Sequence, residues 1–150
     1  MTYACQITMG AEAPDLEFIA YTYPPVGGEG VLPLAPGASD GGLLHVAPGR
    51  WFAPAAGEAL RERLAALDGV GSCVEVQGKW CRVDLEGPDA AAVLGETVDV
   101  IAVLAGRECA AVLLFDCPCV LARSAGGFTV WTRASHQPHL AAELLRLTGR

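Results

Sequence analysis

Residues 80–94, WCRVDLEGPDAAAVL, constrain the fold more than any other stretch of the chain. Cys81, Val83 and Leu85 alternate with Trp80, Arg82, Asp84 and Glu86, and in a strand, whose side-chain period is two, the two sets lie on opposite faces. The apolar set enters a core. Gly87 and Pro88 then end the strand. Glycine suits a helix N-cap, proline fits the first helical turn where its missing N–H costs nothing, and Asp89 complements the positive end of the helix dipole. A short helix over 90–94 is predicted, and its small residues would let it lie close to a sheet.

The segments on either side extend this unit. Residues 43–46 read as a short strand, Pro48-Gly49 as a turn, and 50–53, with Trp51 and Phe52, as a second strand completing a hairpin. A helix is predicted over 57–67, because Leu60, Leu64 and Leu67 recur at i, i+4 and i+7 while Arg61, Glu62 and Arg63 face away. Gly69 supplies its C-terminal stop, and 72–76 returns as a strand, giving the order ββαβ. After a connecting segment, 98–104, three antiparallel strands are predicted over 107–115, 119–123 and 128–133. Asp116-Cys117-Pro118 and Gly126-Gly127 are the expected turns. A closing helix starts near Ser135 or Gln137 with Pro138 in its first turn, carries Leu140, Leu144 and Leu147 on one face, and stops at Gly149.

This pattern is an α+β fold: antiparallel sheet with helices packed on one side, in two related strand-helix-strand halves. At 150 residues with 52% hydrophobic residues, one domain with a full core is expected. Residues 1–42 hold five of the ten prolines and read as an irregular Pro/Gly-rich arm with one strand over 16–23, so the compact core is 43–150. Gly27, Gly28 and Gly30 read as a turn. They follow no strand, open no helix and are not accompanied by the lysine of a phosphate-binding loop.

Charge and hydropathy exclude several functions. Ten basic residues stand against 17 acidic ones, for a net charge of −7, and the basic residues are scattered rather than clustered; nucleic-acid binding needs the opposite. Mean hydropathy is high, +0.36, yet no apolar run approaches the ~20 residues of a membrane span. The N-terminal residues lack a basic segment followed by an apolar one, so no signal peptide and a cytoplasmic location are expected. The apolar excess has two readings: surface covered by a partner, or an alanine-rich composition.

Six cysteines are present, at 5, 73, 81, 109, 117 and 119. Without an export signal they read as reduced, mostly buried thiols. Cys117 and Cys119 form the single tight pair, and His136 and His139 follow, but no second cysteine pair stands at zinc-site spacing, so no metal site is assigned. Asp84 and Glu86 share a strand face with Arg82, which fits a solvated face better than an acid–base pair. Ser135 and His136 are neighbours in sequence without a nucleophile elbow. Trp80, Arg82, Trp131 and Arg133 stand out as partner-contact candidates, because Trp and Arg concentrate at interface hot spots; a core-capping role is the alternative.

The runs LLHVAPGRWFAPAAGEALRERLAAL, VEVQGKWCRVDLEGPDAAAVL, GRECAAVLLF and LARSAGGFTVWTRAS, with the final helix, resemble the gamma subunit family of heterotetrameric sarcosine oxidase. The shared features are Pro48 with Trp51, then Gly87, Pro88 and Ala90, then Gly106, Cys109 and Ala110, and finally Phe128, Arg133 and Ser135. They cover about residues 42–148. One extra residue separates Gly106 from Cys109, and Ala134 separates Arg133 from Ser135, so the resemblance is to a gamma-like relative.

The resemblance implies an aminomethyltransferase-like, folate-binding fold; the sequence itself shows no equivalent of the aminomethyltransferases' Asp-bearing folate site and no Lys-Gly-Cys-Tyr-x-Gly-Gln motif of the folate-binding iron–sulfur maintenance proteins. It implies an accessory subunit of an amine-oxidising complex, with no catalytic, cofactor or metal residue of its own, packed on a flavoprotein alpha-type subunit. FAD, FMN, NAD and tetrahydrofolate would then belong to the partner subunits. The alternative is a stand-alone folate-fold one-carbon binding protein or aminomethyltransferase-like enzyme. Self-association of the isolated chain is left open.

Overall fold

In the computed structural model, which describes residues 2–10, 15–20, 32, 35–67, 69–76 and 78–149, sheet dominates. The elements in chain order are β1 (Gln6–Met9), β2 (Leu16–Ala20), β3 (Ser39–Asp40), β4 (Leu43–Ala47), β5 (Arg50–Ala53), α1 (Glu58–Ala65), β6 (Gly71–Glu75), β7 (Trp80–Glu86), α2 (Ala90–Gly95), α3 (Val100–Val103), β8 (Cys109–Leu114), β9 (Cys117–Ser124), β10 (Gly127–Arg133) and α4 (Gln137–Thr148). They form two antiparallel five-stranded sheets, ordered β1-β7-β10-β9-β8 and β3-β4-β5-β2-β6. Where length alone suggests one domain, the chain falls into two compact units, Met1–Glu12 with Gly78–Arg150 and Ala13–Gln77. Each has its own apolar cluster.

In the first unit the alternation of β7 behaves as its period requires. Val83 and Leu85 are fully buried and sit opposite Val130 and Phe128 of β10, with Leu121 of β9 opposite Val130 in turn. The same cluster takes in Ala90, Val93 and Leu94 of α2, Val100 of α3, and Leu140, Leu144 and Leu147 of α4. A one-residue slip of β7 would expose Val83 and Leu85 at a cost of ~1.5–3 kcal/mol each, so burial fixes the register.

The corner after β7 differs in detail from expectation. The N-cap of α2 is Asp89, not Gly87. Asp89 also reaches outward: its Oδ2 accepts from the Ala4 backbone N–H at 2.7 Å, and its own N–H donates to the Ala4 carbonyl. Gly87 has φ +126°, and a Cβ there would lie 2.7 Å from the Ala4 carbonyl oxygen. Glycine is demanded by both conformation and space. Ala4 is therefore held against this corner, and residues 6–9, also assigned to the arm, add an edge strand, β1, to β7.

Two further differences concern boundaries. The connecting segment holds a four-residue helix, α3, capped by Asp99 Oδ1, which accepts from the Ala102 N–H at 3.1 Å. The turn between β8 and β9 is made by Phe115 and Asp116, both at positive φ, while Cys117 and Pro118 belong to β9. The ladder from β9 to β10 ends at Cys119, one residue short of Pro118, so its missing N–H removes no pairing on that side.

In the second unit the predicted order ββαβ appears as β4, β5, α1 and β6. Its pairing is not sequential, however: β2 runs between β5 and β6. The sequence places residues 16–23 in the arm, but Leu16 and Phe18 alternate into the cluster with Leu43, Trp51, Ala53 and Leu64, and only an interior strand buries them this fully. Residues 21–23 and the glycines 27, 28 and 30 lie outside the described residues.

Candidate functional site

The four contact candidates fall on one face of two paired strands. Trp80 is directly opposite Arg133, and Arg82 is opposite Trp131. One more step along, Asp84 faces Thr129. Cross-strand neighbours on one face are about 4.5–5.5 Å apart at Cβ, so pairing alone is enough to assemble the group.

The contacts give each residue a distinct position. The Arg133 guanidinium lies over the Trp80 ring, 5.2 Å from its centroid, within cation–π range. Arg82 Nε donates to Asp84 Oδ1 at 3.1 Å, and Thr129 Oγ1 donates to the same oxygen at 2.8 Å. Arg82 keeps half of its side chain exposed while Asp84 is largely covered. The aliphatic stem of Arg82 lies against Gly10, where a Cβ would come within 2.9 Å of Arg82 Cδ, and the Gly10 N–H donates to the Arg82 carbonyl. Trp80 and Arg133 are partly exposed. Trp131, opposite Arg82 in the register, is only 9% exposed and offers little surface of its own.

Thr129 is the member that the sequence reading passed over. The signal was present: a hydroxyl residue on the polar side of β10, opposite the one carboxylate able to accept from it. The assembled face sets the Arg133 guanidinium over one ring, places Trp131 opposite Arg82, and joins Arg82 and Thr129 on the Asp84 carboxylate. Tryptophan and arginine are the residue types enriched at interface hot spots.

The remaining candidates stay apart from this face. Ser135 is exposed, and His136 is the N-cap of α4 without a side-chain capping bond. Cys117 and Cys119 are buried; Cys119 Sγ lies 3.2 Å from the Cys117 carbonyl, and Cys117 Sγ approaches the carbonyls of Phe115 and His136. Burial pushes the Cys119 thiol up to about 11 against a smaller lowering by the Thr132 hydroxyl, and burial followed by the Asp116 charge raises Cys117. Both are protonated near neutrality. His139 Nε2 is 3.0 Å from the Phe115 carbonyl. Among the described residues no group of three or more His, Cys, Asp or Glu is placed to hold a metal ion, and no helix is long and apolar enough to cross a membrane.

No family model matches the sequence, and no curated protein is similar enough to it to count as a relative. Its fold is found among solved structures. A chain of the heterotetrameric sarcosine oxidase from Corynebacterium sp. U-96, solved in complex with pyrrole 2-carboxylate, superposes with a TM-score of 0.75 at 20% sequence identity. The match takes in 97% of this chain and 84% of that one. At this identity the likeness is one of fold, and it runs through both units.

Proposed function

We propose that this chain is a non-catalytic accessory subunit of a sarcosine-oxidase-type complex, equivalent to the gamma subunit, in which partner flavoprotein subunits carry out oxidative demethylation of a secondary amine. The observation that supports this most is the whole-chain likeness to a subunit of a heterotetrameric oxidase. The aminomethyltransferase-like fold, with helices on one side of the sheet, belongs to this reading, as does a cytoplasmic location. FAD, FMN, NAD and tetrahydrofolate are assigned to the partner subunits and none to this chain.

The Trp80, Arg82 and Arg133 face gives this role a surface. A partner flavoprotein docking there would cover one aromatic ring and two guanidinium groups, the residue types that dominate interface energetics. Trp131 supports that surface from its buried position.

Purification of the native protein under mild conditions tests the proposal. A flavin-bearing chain should co-elute in fixed ratio with this one. Elution of the chain alone, without flavin, would contradict it. Isothermal titration of the isolated chain with tetrahydrofolate should give no heat of binding, and saturable heat would favour the folate-binding alternative.

A further inference from the structure

β1 is an edge strand, laddered to β7 on one side, and its side chains alternate. Ile7 and Met9 stand opposite Leu85 and Val83, both fully buried, while Gln6 and Thr8 turn to the other face. Ile7 packs on the apolar cluster that holds Leu140 and Leu144 of α4. Met9, two residues on, is 41% exposed. Its thioether sulfur accepts a hydrogen bond from Gln137 Nε2 at 3.6 Å, and Gln137 is the first residue of α4. The end of β1 is thus tied to the first turn of α4 through a sulfur atom.

A thioether is a weak acceptor with two lone pairs, and it reacts with a hydroperoxide without first losing a proton. The thiols of this chain are worse placed. Cys5, Cys109, Cys117 and Cys119 are buried, and partial desolvation raises the exposed Cys73 above its ordinary value, which keeps its thiolate fraction small near neutrality. At Met9 one lone pair is engaged by the Gln137 amide. The 3.6 Å between sulfur and nitrogen is little more than an N–H···O bond itself spans, about 2.7–3.2 Å. An added oxygen has no room there. The second lone pair is the open one, and the two directions are not equivalent, because a sulfoxide sulfur is a stereocentre.

We propose that Met9 is a sulfoxidation site for hydrogen peroxide, made stereoselective by the Gln137 amide that shields one lone pair, and that oxidation there loosens β1 from α4. The open lone pair attacks one peroxide oxygen. A sulfur–oxygen bond forms as the oxygen–oxygen bond breaks, sulfur gives up two electrons, and the departing hydroxide takes the proton of the transferred hydroxyl and leaves as water. The product is a polar, chiral side chain in place of a flexible apolar one, on the strand face that Ile7 packs into the core. Its new oxygen points away from Gln137, so it does not replace the bond to α4. Enzymatic reduction of the sulfoxide restores the thioether and the tie. The inference does not depend on the chain's being a subunit of an oxidase.

The test treats the full chain with hydrogen peroxide and then with one or other of the two methionine sulfoxide reductases, each specific for one epimer. Mass spectrometry of the peptide containing Met9 reads the outcome. One reductase should clear about fivefold more of the Met9 sulfoxide than the other. The same chain oxidised while unfolded in urea, and the folded Gln137→Ala variant, should give nearly equal shares. Hydrogen exchange of the β1 amides should quicken about three- to tenfold on oxidation, the loss of one side-chain contact, and recover with the effective reductase. Met9→Leu under the same peroxide should show no change, which separates Met9 from the thiols. The inference is overturned if Met9 stays unoxidised while N-acetylmethionine in the same tube reacts, or if the folded wild-type chain gives equal epimers. It is equally overturned if β1 exchange does not quicken, or quickens as much in Met9→Leu.

Discussion

At Gly87 the backbone conformation and the 2.7 Å approach of the Ala4 carbonyl act together, so any side chain meets both strain and a backbone atom that cannot rotate away. Gly87→Ala should therefore cost ~2–3 kcal/mol, measurable by urea denaturation, whereas an alanine at exposed Gly57, where nothing lies within contact range, should not. Trp80 is a residue of the opposite kind. It is partly exposed and holds the Arg133 guanidinium over its ring, a contact worth only ~0.5–1 kcal/mol at such a site. Trp80→Ala should leave the isolated chain within ~1 kcal/mol of its original stability while weakening assembly with a partner at least tenfold, as loss of an interface anchor does. Sedimentation analysis of the mutant with its partner checks this. The reverse pattern, a large stability loss with intact assembly, would return Trp80 to the core.

Among elements, α2 does more than cover the sheet, because its cap ties down the N-terminal residues. The Ala4 N–H donates to Asp89 Oδ2, the Tyr3 hydroxyl donates to Glu96, and the Tyr3 N–H donates to the Leu147 carbonyl. Asp89→Ala should cost ~1–2 kcal/mol and raise hydrogen exchange of the β1 amides ahead of those of β9. On β9, the raised thiol of Cys119 fixes a sign for pH dependence. Its folded pKa of about 11 lies above the unfolded value, so the stability it contributes is present below pH ~8.5 and is lost as pH rises toward 11, on the order of 1–3 kcal/mol. Cys119→Ala should flatten that part of the pH–stability curve.

The same elements mark how far the sequence could be read. β7, α4 and the β4–β5 hairpin were legible because their apolar periods are long or bounded by glycine and proline. β1 and the interior position of β2 were not. Both belong to pairings between residues far apart in the chain, and a four- or five-residue strand carries no local trace of its partner. The gap between Gly87 as expected cap and Asp89 as actual cap has a similar cause: glycine is needed there for the approach of Ala4, a contact invisible locally. Of the candidate face, the rings and guanidinium groups were legible from residue type and alternation. That Trp131 is covered and Thr129 joins Asp84 depends on packing that only the folded chain reveals.

For the whole molecule, two sheets carry two apolar clusters, and among the described residues the large apolar side chains left exposed are Met9, Ile19, Val74, Ile101 and Leu113. The likeness to a chain of the heterotetrameric oxidase spans nearly the entire chain and is one of fold; the proposed subunit role is what remains to be measured. The most direct measurement is size-exclusion chromatography of the natively expressed protein with light scattering and flavin absorbance recorded together. The account predicts a single peak well above 15.6 kDa that carries flavin and contains this chain in fixed stoichiometry; a flavin-free peak at the monomer mass would contradict it.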